Sequence, residues 1–139
     1  MFMPKLNAAG TTWLQNGWDP TVSNNSPARY SSAEVANASA VATLPAVTGQ
    51  TGFITGAEVY VGGATAGALV DLSITGLLGG TQVFPVSAPA GVALAGSPLI
   101  LKFAPPIPAS AVNTAIVATL PALGVGNVKA LVVLIGGYQ

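Results

Sequence analysis

The chain has 139 residues, no cysteine, no histidine and a formal net charge of zero; charged side chains make up 6% of it, against roughly 25% in an ordinary globular domain. These numbers exclude a disulfide framework, a thiolate metal centre and every catalytic arrangement that runs through imidazole. Four cations spread along the sequence cannot line a phosphate-binding stripe, so no nucleic-acid partner is expected. The length is that of one domain. No apolar run approaches the roughly 20 residues of a membrane helix. The aromatics are not placed as the girdles of a membrane barrel, and the start lacks a signal-peptide pattern, so no membrane partner is expected either. A chain with so little charge has little self-repulsion to keep it apart from its neighbours. Much of its surface is therefore expected to be covered by other protein chains.

Residues 1–36 read as an irregular N-terminal arm, and residues 37–139 as a β-domain. The arm holds Trp13 and Trp18, the turn signals Asn16-Gly17 and Asp19-Pro20, and a polar cluster at 21–27. The two tryptophans either pack on the domain edge or anchor the arm to a partner. Ser31 to Ala40 is the one short helical possibility, with Ser31 or Ser32 as cap and Glu34 in the first turn.

Strands are expected from Ala38. Residues 38–44 form the first, stopped by Pro45, and Phe53 to Val61 the second. Leu69 to Thr75 alternates most cleanly, with Val70, Leu72 and Ile74 on one face and Asp71, Ser73 and Thr75 on the other. Thr81 to Val86 tolerates Pro85, which implies an edge or a bulge. A short run, Val92 to Leu94, follows. Leu99, Leu101 and Phe103 then alternate with Ile100 and Lys102, and Ala104-Pro-Pro-Ile-Pro is expected to end that strand.

The last third, Ala109 to Gln139, holds two β-rich runs around Leu-Gly-Val-Gly-Asn and reads as a hairpin. Its string Val117-Ala-Thr-Leu-Pro-Ala122 repeats Val41-Ala-Thr-Leu-Pro-Ala46. Leu131 to Gly137 follows the second copy much as Ala57 to Gly63 follows the first. The pattern predicts an all-β sandwich or jelly roll of about seven or eight antiparallel strands, with first and last strands as neighbours.

Chemistry is sparse. If Ala64-Thr65 is a two-residue turn, Glu58 falls opposite Asp71. Such a pair would call for a calcium ion or a basic residue from another subunit, unless the register differs or both acids are solvated. Gly62-Gly63-Ala-Thr-Ala-Gly67 and Gly76-Leu-Leu-Gly-Gly80 lack the Lys-Ser/Thr ending and the helix of a phosphate loop. Asn24 and Asn37 fit a glycosylation pattern that means little without a signal peptide. Tyr60, Tyr138 and Phe53 could stack on a sugar or simply pack. No catalytic residue, metal ligand or cofactor site emerges, and an enzyme is not expected.

The run Gly52-Phe-Ile-Thr-Gly-Ala-Glu-Val-Tyr-Val-Gly-Gly-Ala-Thr-Ala-Gly67, the later Gly76-Leu-Leu-Gly-Gly-Thr81, and Ala111 to Asn127 with the Gly-Tyr-Gln ending resemble small tailed-bacteriophage virion proteins. Those are β-sandwich or jelly-roll subunits of head-decoration (cement) or spike type. The resemblance covers about residues 45–139 and implies a homotrimer on the capsid surface, bridging major capsid protein subunits. It carries over no catalytic residue and does not reach the arm. In that setting residues 1–36, with Trp13 and Trp18 as partner contacts, would clamp to the shell. The alternative is a receptor- or glycan-binding module whose contact is built by loops Gly76–Gly80 and Ser87–Ser97.

Overall fold

The computed structural model describes residues 27–139 in full. Of the first 26 it describes the backbone of two short strands, β1 (Lys5–Leu6) and β2 (Trp13–Leu14), which pair antiparallel. Eight strands follow: β3 (Ala28–Ser31), β4 (Ala40–Leu44), β5 (Gly52–Val61), β6 (Ala68–Thr75), β7 (Gln82–Ala88), β8 (Leu99–Pro108), β9 (Ile116–Leu120) and β10 (Ala130–Tyr138). No helix occurs among the described residues.

The pairing is nested. β6 pairs with β7, β5 with β8, β4 with β9 and β3 with β10, all antiparallel. That is one long hairpin, and it rolls up through two lateral contacts, β5 with β10 and β6 with β9. The result is two four-stranded sheets, ordered β3-β10-β5-β8 and β4-β9-β6-β7. An eight-stranded sandwich wired this way is a jelly roll. The strand expected first, residues 38–44, is β4 and lies in the other sheet from the last strand; the early strand that pairs with β10 is β3, from the segment expected to be arm.

Side-chain alternation decides what lies between the sheets. Along β4 the burial alternates strictly, with Ala40, Ala42 and Leu44 inside. On β6, Leu72 and Ile74 point in while Asp71 and Thr75 face water. Ile54, Val59, Val132 and Leu134 meet them from the other sheet, each at most 1% exposed. β10 has neighbours on both sides and stays buried along most of its length.

Several expectations need correction. The last two strands do not form a hairpin: β9 lies in one sheet and β10 in the other. Residues 121–129 arch across the roughly 10 Å between packed sheets. Each run is flanked on both sides by strands from elsewhere in the chain, so its apolar character reflects a central position. The short helix is absent. Ser31 ends β3, Ser32 donates its backbone N–H to Val132 O at 2.8 Å, and Val35 bridges to Ala130. Residues 28–35 therefore join the sandwich and are not part of the expected arm. β8 does not stop at Ala104 but runs on to Pro108. Its register against β5 shifts between Ile54 and Gly56, so Pro105 and Pro106 fall at a bulge of an edge strand, where a missing N–H costs no ladder bond. Val92 to Leu94 is turn, not strand. Pro85 sits on β7, an edge strand, as its ring requires.

Two residues fix the strand ends of the β10 sheet. A Cβ on Gly136 would lie 2.0 Å from Phe53 O, at the register shift where β5 presses closest to β10. Gly136→Ala should cost about 1–3 kcal/mol by forcing the strands apart, read as a lower urea midpoint. Tyr138 is buried and its hydroxyl donates to Pro45 O at 2.7 Å, tying β10 to the β4–β5 arch. Burial, with the Tyr30 hydroxyl adding to it, pushes the Tyr138 pKa up to about 12. An unfolded tyrosine ionises near pH 10. The contribution of Tyr138 is thus complete below about pH 10 and is lost as pH rises through about 12. Stability against pH should fall less steeply between those limits for Tyr138→Phe than for the natural chain. Parallel curves would refute the assignment.

Candidate functional site

The rolled topology gathers four connections at one end of the sandwich: residues 32–39, 62–67, 89–98 and 121–129. Backbone hydrogen bonds weld them. Gly62 N–H donates to Lys129 O at 2.8 Å, Gly63 N–H to Leu94 O at 2.7 Å, and Thr65 N–H to Val125 O at 2.8 Å. A Cβ on Gly63 would meet Gly91 O at 2.0 Å, so only glycine lets these two loops approach so closely.

Asn127 is the centre of the weld. It is 3% exposed. Its Nδ2 donates to Gly62 O at 3.0 Å and Lys129 O at 3.1 Å, and its Oδ1 accepts from Asn37 N–H at 3.3 Å. Asn37 returns the favour: its Oδ1 accepts from Gly124 N–H at 3.1 Å. Asn37 sits at φ 43°, a left-handed conformation that asparagine tolerates. The two asparagines lock the first and last of the four loops together, and the Asn37 amide is engaged in that lock.

Between the welded loops lies a cleft of about 320 Å³. Tyr60, Val61, Val92, Leu94, Val128 and Leu131 make its wall, and Glu34 and Lys129 contribute the charges. Lys129 Nζ stands 3.9 Å from Glu34 Oε1, with both side chains more than half exposed; such a pair contributes little stability. The volume is at the small end for a ligand site, and an apolar wall with few polar groups is the usual lining.

Tyr60 is positioned by an ionic strut. Its hydroxyl donates to Glu58 Oε2 at 2.9 Å, and Arg29 of β3 reaches diagonally across β10 to fork onto the same carboxylate. Arg29, and after it the Tyr60 hydroxyl, hold the Glu58 carboxyl below its usual range. Glu58 in turn raises the Arg29 and Tyr60 pKa values. A carboxylate kept ionised and engaged in this way orients a ring; it is poorly suited to donate protons near neutrality.

Glu58 and Asp71 do not face each other, because the register differs from the one a two-residue turn at Ala64-Thr65 would set. β5 and β6 belong to different sheets, and Asp71 lies opposite Pro85 on β7. The base that neutralises Glu58 is Arg29 of the same chain. Among the described residues no three His, Cys, Asp or Glu side chains gather as metal ligands. Tyr138 is core, and Phe53 lines a second cavity of about 250 Å³ at the opposite end with Pro106, Pro108 and Gln139. Loops Gly76–Gly80 and Ser87–Ser97 do not form one surface. The first hydrogen-bonds near Pro108 at the far end, and the second walls the cleft. Trp13 lies in β2, its backbone opposite Leu6; its side chain, and Trp18 with Asn24, lie outside the described residues. Sequence reasoning missed Asn127 and the cleft wall. The signal available was an asparagine closing a double-glycine turn, and aliphatics at 92–94 bounded by Pro and Gly.

Compared with protein-family models, with curated proteins and with solved structures, the chain matches none.

Asn127→Ala strands the Gly62 carbonyl and unlocks the loops, which should cost about 1–3 kcal/mol. Amide exchange should accelerate at Asn37 and Gly124 while the β10 core stays protected. Uniform acceleration through both sheets would show that Asn127 is not a local lock.

Proposed function

We propose that the chain is a structural subunit of a virion, a head-decoration (cement) protein of a tailed bacteriophage that binds the capsid surface and bridges major capsid protein subunits. The observation that carries this reading is the surface of the sandwich. Leu69 and Val125 are each 75% exposed, and Leu78, Val83, Leu94 and Ile100 about half or more, on a body with almost no charge. So many exposed aliphatics with so few charges between them suit contact with other protein. In this reading the subunit acts as a homotrimer. It stabilises the shell by mass action, because it binds the assembled state and not the free parts. The N-terminal segment clamps to the shell, with Trp13 and Trp18 as anchors.

A second reading, a receptor- or glycan-binding module of a spike or tail fibre, draws on the cleft, whose Tyr60 ring is 40% exposed and held in place by Glu58. It moves the contact from the arm to the loop end of the sandwich.

Co-sedimentation with purified shells separates the two. Because residues 28–31 form a sandwich strand, the informative deletion stops before residue 27. Full-length chain should pellet with shells, and the chain beginning at residue 27 should remain in the supernatant while keeping its β circular-dichroism spectrum. Retention on a glycan array that Tyr60→Ala abolishes, with no binding to shells, would replace the first reading with the second.

A further inference from the structure

A two-sheet sandwich leaves four strand edges, and exposed edges invite pairing with other chains. Three of them here carry blocking features: β3 has Arg29, β7 has Pro85, and β8 has Lys102, a bulge and three prolines. The fourth is different. β4, Ala40–Leu44, has no charge, no proline and no register shift, and no strand lies on its far side among the described residues. Val41, 46% exposed, and Thr43 point outward, while Ala40, Ala42 and Leu44 are buried beneath.

What covers that edge is suggested by its inner side. There Val41-Ala42-Thr43-Leu44 pairs antiparallel with Val117-Ala118-Thr119-Leu120, an identical string, in the register Val41↔Thr119, Ala42↔Ala118, Thr43↔Val117. The segment is thus already self-complementary within one molecule. In an antiparallel ladder the backbone groups of alternate residues face opposite sides, so β4 can offer its second side to the same string again. We infer that β4 pairs, antiparallel and centred on Ala42, with β4 of a second copy of this chain.

The same cross-strand partners recur in that contact. Val41 meets Thr43 of the second copy, Ala42 meets its own counterpart on the two-fold axis, and Thr43 meets Val41. No charge within β4 opposes the approach, and the chain has no net charge to repel its copy. The two molecules then share one continuous eight-stranded sheet, in which β7-β6-β9-β4 meets its two-fold image. The contact uses an edge, so the outer faces of both sheets stay available for the shell. Being two-fold, it does not build the homotrimer of the decoration reading but would join one trimer to another, and it stands whether or not that reading does.

The chain contains no cysteine, so a single introduced thiol reports on this contact alone. Val41→Cys and Thr43→Cys are prepared separately, mixed, and oxidised mildly. The mixture should yield a covalent dimer, and each variant alone should yield far less, because in this register position 41 meets position 43 and not itself. As a second variant, Val41→Lys should keep the β-sheet spectrum and weaken dimerisation at least about tenfold by charging the edge. Absence of cross-linking in the mixture, equal cross-linking of the variants alone, or a single-chain mass for the natural protein at high concentration would overturn the inference. Shell binding measured on the same variants keeps the two ideas apart. Binding without cross-linking removes the strand pairing alone, and cross-linking without binding removes the decoration reading alone.

Discussion

Strand β10 has both of its ladder edges occupied, by β3 and by β5, and the rest of the molecule depends on that double occupancy. Its partners lie about a hundred and about eighty residues earlier in the sequence, so closing the sheet costs loop entropy before any contact repays it. What repays it is a strand with Val132 and Leu134 fully enclosed on one face and Val133 2% exposed on the other. Among the described residues no other strand buries so much on two sides. The neighbouring features serve that placement: Gly136 admits the close approach of β5, Tyr138 ties the strand's end to Pro45, and the Arg29–Glu58 bridge crosses over it from β3 to β5.

The same point explains what the sequence could and could not reveal. Local pattern located the strands from residue 40 onward, because period-two alternation is a property of each segment alone; β6 and the Leu99–Phe103 stretch were plain for that reason. Pro85 even announced an edge. Pairing is another matter. A run that is apolar throughout looks the same whether its neighbour is the next strand or one eighty residues away, so the arch from β9 to β10 passed for a hairpin. β3 was overlooked because Ala28-Arg-Tyr-Ser offers one large apolar side chain in four. A turn at Ala64-Thr65 would set Glu58 opposite Asp71 only if these consecutive strands shared a sheet, and β5 and β6 do not. The cleft follows from four loops meeting in space, and no segment of the chain carries that information by itself.

Charge is used sparingly and locally. Arg29 and Glu58 pair across β10, and Glu34 and Lys129 face each other at the mouth of the cleft. Such neutral pairs produce almost no field at a distance, and at physiological salt the Debye length of about 8 Å screens what remains. Neither pair therefore offers much long-range steering toward a charged partner.

The internal repeat belongs to the same economy. In a chain so rich in Ala, Val and Gly, a six-residue identity could arise by composition, and composition would leave the two copies anywhere. Instead Ala42 pairs with its own counterpart, Ala118. In the other sheet Ala57 pairs with Leu134 while their counterparts, Leu131 and Tyr60, pair with each other. Each antiparallel pairing has its own local two-fold, exchanging β4 with β9 in one sheet and β5 with β10 in the other. The self-matched register of the identical strings supports a duplicated strand–arch–strand unit, with β6 and β7 lying between the copies. A unit that folds by pairing with its own duplicate carries the complement of its own edge, which is why the composition can be so plain and the pairing still specific.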